Sequence, residues 1–256
     1  MECDYADALI RCQLCHRDMV NRWLNNIQSV LFPPVCLLCG LRSHGQLCLC
    51  QGCQDELPWL DEACNYCATP LPVAGICGRC LQSPPAFDRS RVAFQYATPV
   101  DFLLRRLKFD GKLMYARLLG QIMAQLILKD QQQSSAFILP DVIVPVPLHP
   151  RRLRERGFNQ SLEIARWISR AVHVPIDFSS CQRVRETKTQ SLLPLKQRRL
   201  NIRQAFTVDK KFQARRVAIV DDVMTTAFTV QELANAMRHS GVEEIEVWCC
   251  ARVSLK

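Results

Sequence analysis

The stretch VAIVDDVMTTAFT, residues 217–229, carries more structural information than any other part of this sequence. Its leading apolar residues predict a buried strand, and the acids Asp221 and Asp222 follow where that strand ends. A threonine-rich loop then opens the amphipathic segment VQELANAMRHS, which predicts a helix. Backbone N–H groups and the positive helix end at such a junction favour a bound phosphate, while adjacent carboxylates suit ribose hydroxyls. An ordinary turn with an Asp cap fits the same spacing.

Apolar runs on both sides of this junction extend the pattern. Predicted strands lie in RVAFQYA, DVIVPVP, RRVAIVDDV and EEIEVWCCARV. Strands that alternate with amphipathic helices are typical of a mainly parallel sheet covered by helices, and ligands of such sheets gather at the carboxyl ends of the strands. We therefore expect an α/β fold, with a polar surface loop over residues 129–137. The predicted helices span residues 100–109, 113–128, 159–172 and 226–240.

Cysteines are concentrated in the amino-terminal third, where twelve of the fifteen lie between Cys3 and Cys80. Four CxxC pairs stand there, and two such pairs complete the tetrahedral shell of a structural Zn²⁺ ion, so two zinc ions are predicted. We expect the pairs to combine in chain order, with interleaved pairing left open. Reduced structural cysteines or redox pairs are the other interpretation. The eight predicted ligands are Cys36, Cys39, Cys50, Cys53, Cys64, Cys67, Cys77 and Cys80.

Composition indicates two unequal folded domains in a chain of 256 residues, 48% of them hydrophobic and 22% charged. The cysteine pairs stop before SPPAFDRS, residues 83–90, which we take as the domain boundary. No apolar run reaches eighteen residues, and the first residues lack the basic and apolar blocks of a secretory signal. These features predict a cytoplasmic protein with no membrane span.

Positive charge is unevenly distributed. Residues 141–216 hold seventeen Lys and Arg against six Asp and Glu, whereas the whole chain carries a net charge of +9. A localised basic surface favours phosphate-bearing partners, and a solvated face explains the same excess equally well.

Three segments together resemble one known family. VAIVDDVMTTAFT resembles the 5-phosphoribosyl diphosphate signature of the type I phosphoribosyltransferases, and DVIVPVPLHPRRLRERGFNQS and RVRETKTQSLLPLKQRRLNIRQAF are similar to the ComF/GntX branch. The similarity covers residues 24–256. It implies a type I phosphoribosyltransferase fold, with a mainly parallel sheet and flanking helices, preceded by a small double zinc-ribbon domain. The implied divisions are an extension at 1–30, the double zinc ribbon at 31–84 and the phosphoribosyltransferase-like domain at 85–256.

The resemblance also implies a ligand site for 5-phosphoribosyl diphosphate with Mg²⁺. Asp221 and Asp222 would hold the ribose hydroxyls, and cations would face the diphosphate. Most relatives have Gly in place of Ala227, and Phe228 is bulky where a small residue is usual, so a loop that needs a positive φ at Ala227 would be strained. The residues implied for the 5′-phosphate are Thr225, Thr226, Ala227, Phe228 and Thr229. Those implied for the diphosphate and its mobile loop are Arg151, Arg152, Arg154, Arg156, Arg185, Lys188 and Gln190.

Two functions remain open from the sequence. The first is a phosphoribosyltransferase that transfers or removes a phosphoribosyl group, although no residue set identifies an acceptor. The second is a non-catalytic module that binds single-stranded DNA or a DNA-uptake helicase and keeps a vestigial or sensor phosphoribosyl site. The family's association with natural competence, DNA uptake and the use of DNA as a nutrient is compatible with both.

Overall fold

The structure is a computed structural model that describes residues 35–43, 47–134, 136–185 and 204–254. The chain forms two compact units, Met1–Glu56 and Leu57–Lys256. The second unit contains the α/β domain and also the third and fourth CxxC pairs. These two pairs therefore lie in the same compact unit as the sheet. The boundaries drawn from the sequence at 30/31 and 84/85 stay a prediction about the family domains.

A four-stranded parallel sheet forms the centre of the second unit. Its strands are β1 (Arg89–Gln95), β2 (Val142–Pro145), β5 (Arg216–Met224) and β6 (Glu244–Arg252), in the spatial order β1-β6-β5-β2. Each apolar run predicted as a strand forms one, with Val217 of β5 opposite Val142 on one side and Ile245 on the other. Because all four strands run parallel, their carboxyl ends meet at one edge of the sheet.

Helices cover both faces of this sheet. On one face α4 (Met114–Gln133) and α6 (Gln160–Val172) pack against each other and against the strands. On the other, α7 (Phe228–His239) buries Leu233 and Met237 in a core cluster with Val217 and Ile219. Successive residues of a strand point to opposite faces, so the continuous apolar run of β5 serves both layers. The predicted α/β fold is thus confirmed.

The remaining elements are short or border the sheet. Two short helices, α1 (Gln51–Asp55) and α2 (Gly78–Gln82), follow cysteines of the CxxC pairs. Helix α3 (Val100–Asp110) precedes α4, and α5 (Pro150–Arg156) follows β2. Strands β3 (Cys181–Arg183) and β4 (Phe206–Val208) form a small antiparallel ribbon.

Three features differ from the expectations drawn from the sequence. Helix α4 continues to Gln133, so the loop predicted over 129–137 is wrong for its first five residues. Lys and Gln are good helix formers, and Asp130 in this last part accepts a hydrogen bond from Arg91 Nε at 2.8 Å. Helix α5 and the β3–β4 ribbon were not predicted, because each is too short to show a periodic apolar pattern.

Candidate functional site

The eight predicted cysteine ligands gather into two clusters of four. Within each cluster all four Sγ atoms lie within 4.8 Å of one another, and the pairs combine in chain order, as expected. The sulfur–sulfur distance is 3.6 Å between Cys39 and Cys50 and 3.7 Å between Cys67 and Cys77. Tetrahedral Zn²⁺ with Zn–S bonds near 2.3 Å needs edges of about 3.8 Å, whereas a disulfide needs about 2.05 Å. Both clusters therefore fit a structural zinc ion.

The second cluster, Cys64, Cys67, Cys77 and Cys80, is the more enclosed of the two. Three of its thiols are buried, and the backbone N–H of Cys77 donates to Cys64 Sγ at 3.3 Å. Burial alone would raise the pKa of Cys67, but hydrogen bonds from Thr69 and its other neighbours lower that pKa to about 6. Donors that stabilise a thiolate also favour its bond to a cation.

A cavity of about 850 Å³ lies at the carboxyl ends of the strands. Residues that follow each of the four strands line it: Tyr96 after β1, Val146 after β2, Thr225 after β5 and Val253 after β6. This is the edge where open parallel sheets bind their ligands. Its volume falls within the range of small-molecule and cofactor sites.

The acid pair of β5 lines this cavity, and the two carboxylates have different surroundings. Asp222 is 3% exposed and forms an ion pair with Lys108 of α3 at 2.5 Å between Nζ and Oδ2. Asp221 accepts hydrogen bonds on Oδ1 from Ser161 Oγ at 3.0 Å and from the Asp222 N–H at 2.9 Å. Burial and the neighbouring Asp222 charge raise the pKa of Asp221 to about 7. The two carboxylates therefore differ in their partners: Asp222 pairs with a cation, and Asp221 accepts two hydrogen bonds.

The loop between β5 and α7 contributes two threonines to the cavity. Thr225 and Thr229 line the cavity, and α7 begins directly after Ala227, which has φ +65°. The strained conformation anticipated at Ala227 is therefore present, since a positive φ is unfavourable for residues with a Cβ. Thr226 is buried and does not line the cavity. Phe228 packs against the hydrophobic core, so its ring does not fill the site.

Cations form another wall of the cavity. Arg152 and Arg156, four residues apart on one face of α5, line it together with Arg183 of the β3–β4 ribbon. Burial lowers the pKa of Arg156, and burial together with the charge of Arg152 lowers the pKa of Arg183 to about 10. Closely spaced cations in a cleft create a positive potential that attracts anions.

The other predicted cations lie elsewhere. Arg151 is exposed and pairs with Glu155, and Arg154 and Arg185 are also exposed. None of these three lines the cavity. The positions of Lys188 and Gln190 fall outside the described residues, so their assignment to a mobile loop stays a prediction.

The polar residues of the cavity that were missed from the sequence include Lys108, Ser161 and Arg183. Lys108 lies in an amphipathic helix far from the acid pair in sequence, where a lone Lys is usually solvated. Ser161 follows the N-cap residue Asn159 and looked like part of the helix start. Only the sheet edge brings the three together, so no local signal in the sequence marks them.

The parallel sheet with an acid pair and threonine loop at its edge, together with two Cys₄ clusters, defines a class of protein. It is a double zinc ribbon followed by an α/β domain with a parallel sheet. Residues 27–81 match the family described as double zinc ribbon domain. The chain is 36% identical to Competence protein F of Haemophilus influenzae over 208 residues, which cover 80% of this chain and 90% of that protein. It belongs to the ComF/GntX family, as the sequence predicted.

Two further relatives extend this likeness. The DNA utilization protein YhgH of Escherichia coli K12 is 35% identical over 222 residues, covering 86% of this chain and 97% of that protein. Competence protein ComFC of Bacillus subtilis is 24% identical over 205 residues, covering 75% and 79%.

One solved structure has a distant likeness to the chain. It is the glutamine phosphoribosylpyrophosphate amidotransferase from B. subtilis complexed with ADP and GMP, at 20% identity and a TM-score of 0.34. The match covers 52% of this chain and 25% of that one, and so distant a likeness has no weight for function.

A helix that crosses a bilayer must be both long and predominantly apolar, and this sets the standard for the described helices. Within the described ranges, none is both long enough and apolar enough to cross a bilayer.

Proposed function

We propose that the cavity at the carboxyl ends of the strands binds 5-phosphoribosyl diphosphate, or a related phosphoribosyl or nucleotide ligand, together with Mg²⁺. One observation carries the proposal: the acid pair, the threonine loop and the arginine wall line a single cavity. These groups match the three parts of such a ligand, namely its ribose hydroxyls, its 5′-phosphate and its diphosphate.

Each part of the site has a distinct chemical task. The Asp221 carboxylate and its neighbour accept hydrogen bonds from ribose hydroxyls, and charge-assisted bonds of this kind are worth about 1.5–3 kcal/mol each. Thr225 and Thr229 offer hydroxyl donors beside the N-terminus of α7, where the helix dipole favours a phosphate. Arg152, Arg156 and Arg183 supply the positive charge that a diphosphate needs. Mg²⁺, when bound with the ligand, neutralises further charge on the diphosphate.

Lys108 gives the site a counter-ion in the absence of a ligand. Burial opposes the charge on its ammonium group, but Asp222 and Asp221 raise the pKa of Lys108 overall. Its side chain is 24% exposed, and it lines the cavity. The ammonium group therefore holds the Asp222 carboxylate at the wall of the cavity, where it can accept a hydrogen bond from an incoming hydroxyl.

Helix α5 offers a matched test of the diphosphate assignment. We expect Arg152→Gln and Arg156→Gln to weaken 5-phosphoribosyl diphosphate binding by tenfold or more, and to affect ribose 5-phosphate much less, because that ligand has no diphosphate. Arg154→Gln makes the same change on an exposed position of the same helix and should leave both affinities unchanged. Calorimetric titration measures each affinity. Equal losses for both ligands, or an effect of Arg154→Gln as large as the others, would exclude the assignment.

The biological role proposed for the chain is DNA utilisation or natural competence in the cytoplasm. Its support comes from relatives named Competence protein F and DNA utilization protein YhgH. Within this role a phosphoribosyltransferase would release diphosphate from the bound ligand in the presence of an acceptor. A diphosphate-release assay with a panel of nucleobase and amine acceptors tests turnover, and binding without release with any of them favours the non-catalytic interpretation.

The second candidate is a module that binds single-stranded DNA or a DNA-uptake helicase. The excess of Lys and Arg over residues 141–216 favours it, because such a surface neutralises phosphates. If DNA binds there, its affinity should fall steeply between 50 and 200 mM salt, by about 10³-fold or more for six phosphate contacts. Fluorescence anisotropy with a labelled single strand measures this dependence. No binding at low salt would leave the basic excess as a solvated or protein-docking face.

A further inference from the structure

Arg252, the last residue of β6, is a fully buried arginine that connects two functional parts of the second unit. Its Nε donates to the Cys67 carbonyl oxygen at 2.8 Å, and Nη2 donates to Thr69 Oγ1 at 3.1 Å. Its Nη1 faces the carbonyl oxygens of Met224 at 3.1 Å, of Val253 at 2.7 Å and of Thr225. One guanidinium group therefore contacts both the second Cys₄ cluster and the start of the phosphate loop.

The acceptors on the two sides are parts of the sites themselves. Cys67 supplies one of the four sulfur atoms of the cluster, and Thr69 Oγ1 lies 3.1 Å from that sulfur. Met224 ends β5, and Thr225 lines the cavity. No intervening residue is needed to link the cluster with the loop.

Arg252 also orients the backbone of the loop. The C=O and N–H groups of a planar trans peptide point in opposite directions. Because the Met224 and Thr225 carbonyls face Arg252, the N–H groups of Thr225 and Thr226 point away from it. Backbone N–H groups with a fixed direction at a helix start are what an anion site requires.

A buried guanidinium group is stable only while its hydrogen-bond acceptors stay in place. Arg252 is fully buried, so water cannot replace a hydrogen bond that its guanidinium group loses. Removing one side of a buried, hydrogen-bonded charge is strongly unfavourable. If the segment from Cys67 to Thr69 loses its metal-bound conformation, Arg252 must find other acceptors, and the loop carbonyls must move with it.

We propose that Arg252 is a positioning residue that makes zinc retention by the second Cys₄ cluster and anion binding by the β5–α7 loop depend on each other. This inference rests on the proposed ligand, 5-phosphoribosyl diphosphate. Coupling between two binding sites is reciprocal: if zinc in the cluster strengthens ligand binding, the ligand strengthens zinc retention by the same factor. The first cluster has no part in this coupling and serves as an internal control.

The test measures zinc loss from each cluster in the full-length, zinc-loaded protein. A chelator is added with a thiol-alkylating reagent, and peptide mapping follows alkylation of Cys39 and Cys53 separately from that of Cys67 and Cys77. With 5-phosphoribosyl diphosphate and Mg²⁺, alkylation of the second cluster should slow by about fivefold or more, the lower end of typical coupling. Alkylation of the first cluster should not change. Mg²⁺ alone, as a further control, should protect neither.

Variants separate a positioning role from a purely structural one. Arg252→Lys keeps the charge but lacks the fork that reaches both sides, so ligand protection of the second cluster should disappear while zinc content stays at two ions per chain. Thr69→Val removes one hydrogen-bond acceptor of Arg252 and should reduce the protection of the second cluster by the ligand. This variant replaces Arg252→Lys in the test if Arg252→Lys does not fold. Arg79→Lys is the matched control, because Arg79 hydrogen-bonds to Cys67 from an exposed position. It should change the alkylation rate of the cluster but not the protection factor.

The outcomes distinguish this inference from the function on which it rests. Wild-type protein that binds no 5-phosphoribosyl diphosphate by calorimetry would overturn the proposed function and the coupling together. Binding without protection of the second cluster, equal protection of both clusters, or full protection in Arg252→Lys and Thr69→Val would overturn the coupling alone.

Discussion

The two Cys₄ clusters have the same spacing and the same four sulfur ligands, yet their surroundings differ. Cys39 of the first cluster is exposed, whereas Cys64, Cys67 and Cys80 of the second are buried. The second cluster also shares a compact unit with the sheet and is connected to it by Arg252. We therefore expect loss of zinc from the second cluster to destabilise the α/β unit more than loss of zinc from the first.

The largest expected difference comes from removing one ligand of each cluster. Cys67→Ser should lower the free energy of unfolding of the α/β unit by about 4–5 kcal/mol, the range that loss of a structural metal reaches. Cys39→Ser should change it by less than about 1 kcal/mol, because its cluster lies in the other unit. Guanidinium unfolding followed by far-UV circular dichroism measures both, since the helices of the α/β unit dominate that signal. Equal losses in the two variants would remove the distinction between the clusters.

A second contrast lies within the unit that holds the second cluster, at the adjacent acids of β5. Asp222→Asn leaves the Lys108 ammonium group without its partner and should cost up to about 3–5 kcal/mol of stability. Asp221→Asn should instead stabilise the folded protein. The raised pKa of Asp221 means that the folded protein keeps a proton which the unfolded chain has released, so stability falls as the pH rises from about 4 to about 7. An amide removes this loss and can still accept the bonds from Ser161 and the Asp222 N–H.

Unfolding curves at pH 5 and pH 8 test this contrast. Asp221→Asn should be more stable than wild type at pH 8, and the difference should shrink at pH 5. A variant that is less stable than wild type at both pH values would show that the Asp221 carboxylate stabilises the fold.

The smallest effect is expected at Ala227 in the loop between β5 and α7. Ala227→Gly relieves a positive φ, worth about 1–2 kcal/mol, but gives the unfolded chain about 0.4–1 kcal/mol of extra entropy. The free energy of unfolding should therefore rise by no more than about 1.6 kcal/mol, and ligand binding should be retained. Ala227→Val, a β-branched residue at the same φ, should destabilise by about 1–3 kcal/mol. Thermal unfolding with and without the ligand checks both, and tolerance of Val would mean that φ at this position is not positive.

The parts of the site that are local in sequence could be predicted. The spacing of Cys64 and Cys67 predicts a metal-binding turn, and residues 217–229 predict the strand, acid pair and threonine loop that the structure places at the cavity. In both, the residues that act together are only a few positions apart, so backbone geometry alone brings them together.

The parts that depend on tertiary packing could not be predicted. Lys108 reaches Asp222 from a helix that precedes it by more than a hundred residues, and Arg252 joins elements from both ends of the second unit. A buried ion pair leaves no periodic pattern in the sequence. The polar end of α4 was taken for a loop for a similar reason, because its Asp130 is held by Arg91 of β1.

Calorimetric titration tests most directly whether this cavity is a phosphoribosyl site. The ligand, 5-phosphoribosyl diphosphate with Mg²⁺, is titrated into wild type and into the Asp221→Asn/Asp222→Asn double variant. Glu243→Gln, which neutralises an exposed carboxylate at the amino-terminal side of β6, serves as the control. Wild type and the control should bind equally, and the double variant at least about 100-fold more weakly, from two lost bonds of about 1.5–3 kcal/mol each. Circular dichroism verifies its fold, with Asp221→Asn alone as the substitute if it is unfolded. Equal binding by wild type and the folded variant, or no binding by wild type, would contradict a phosphoribosyl site at the acid pair.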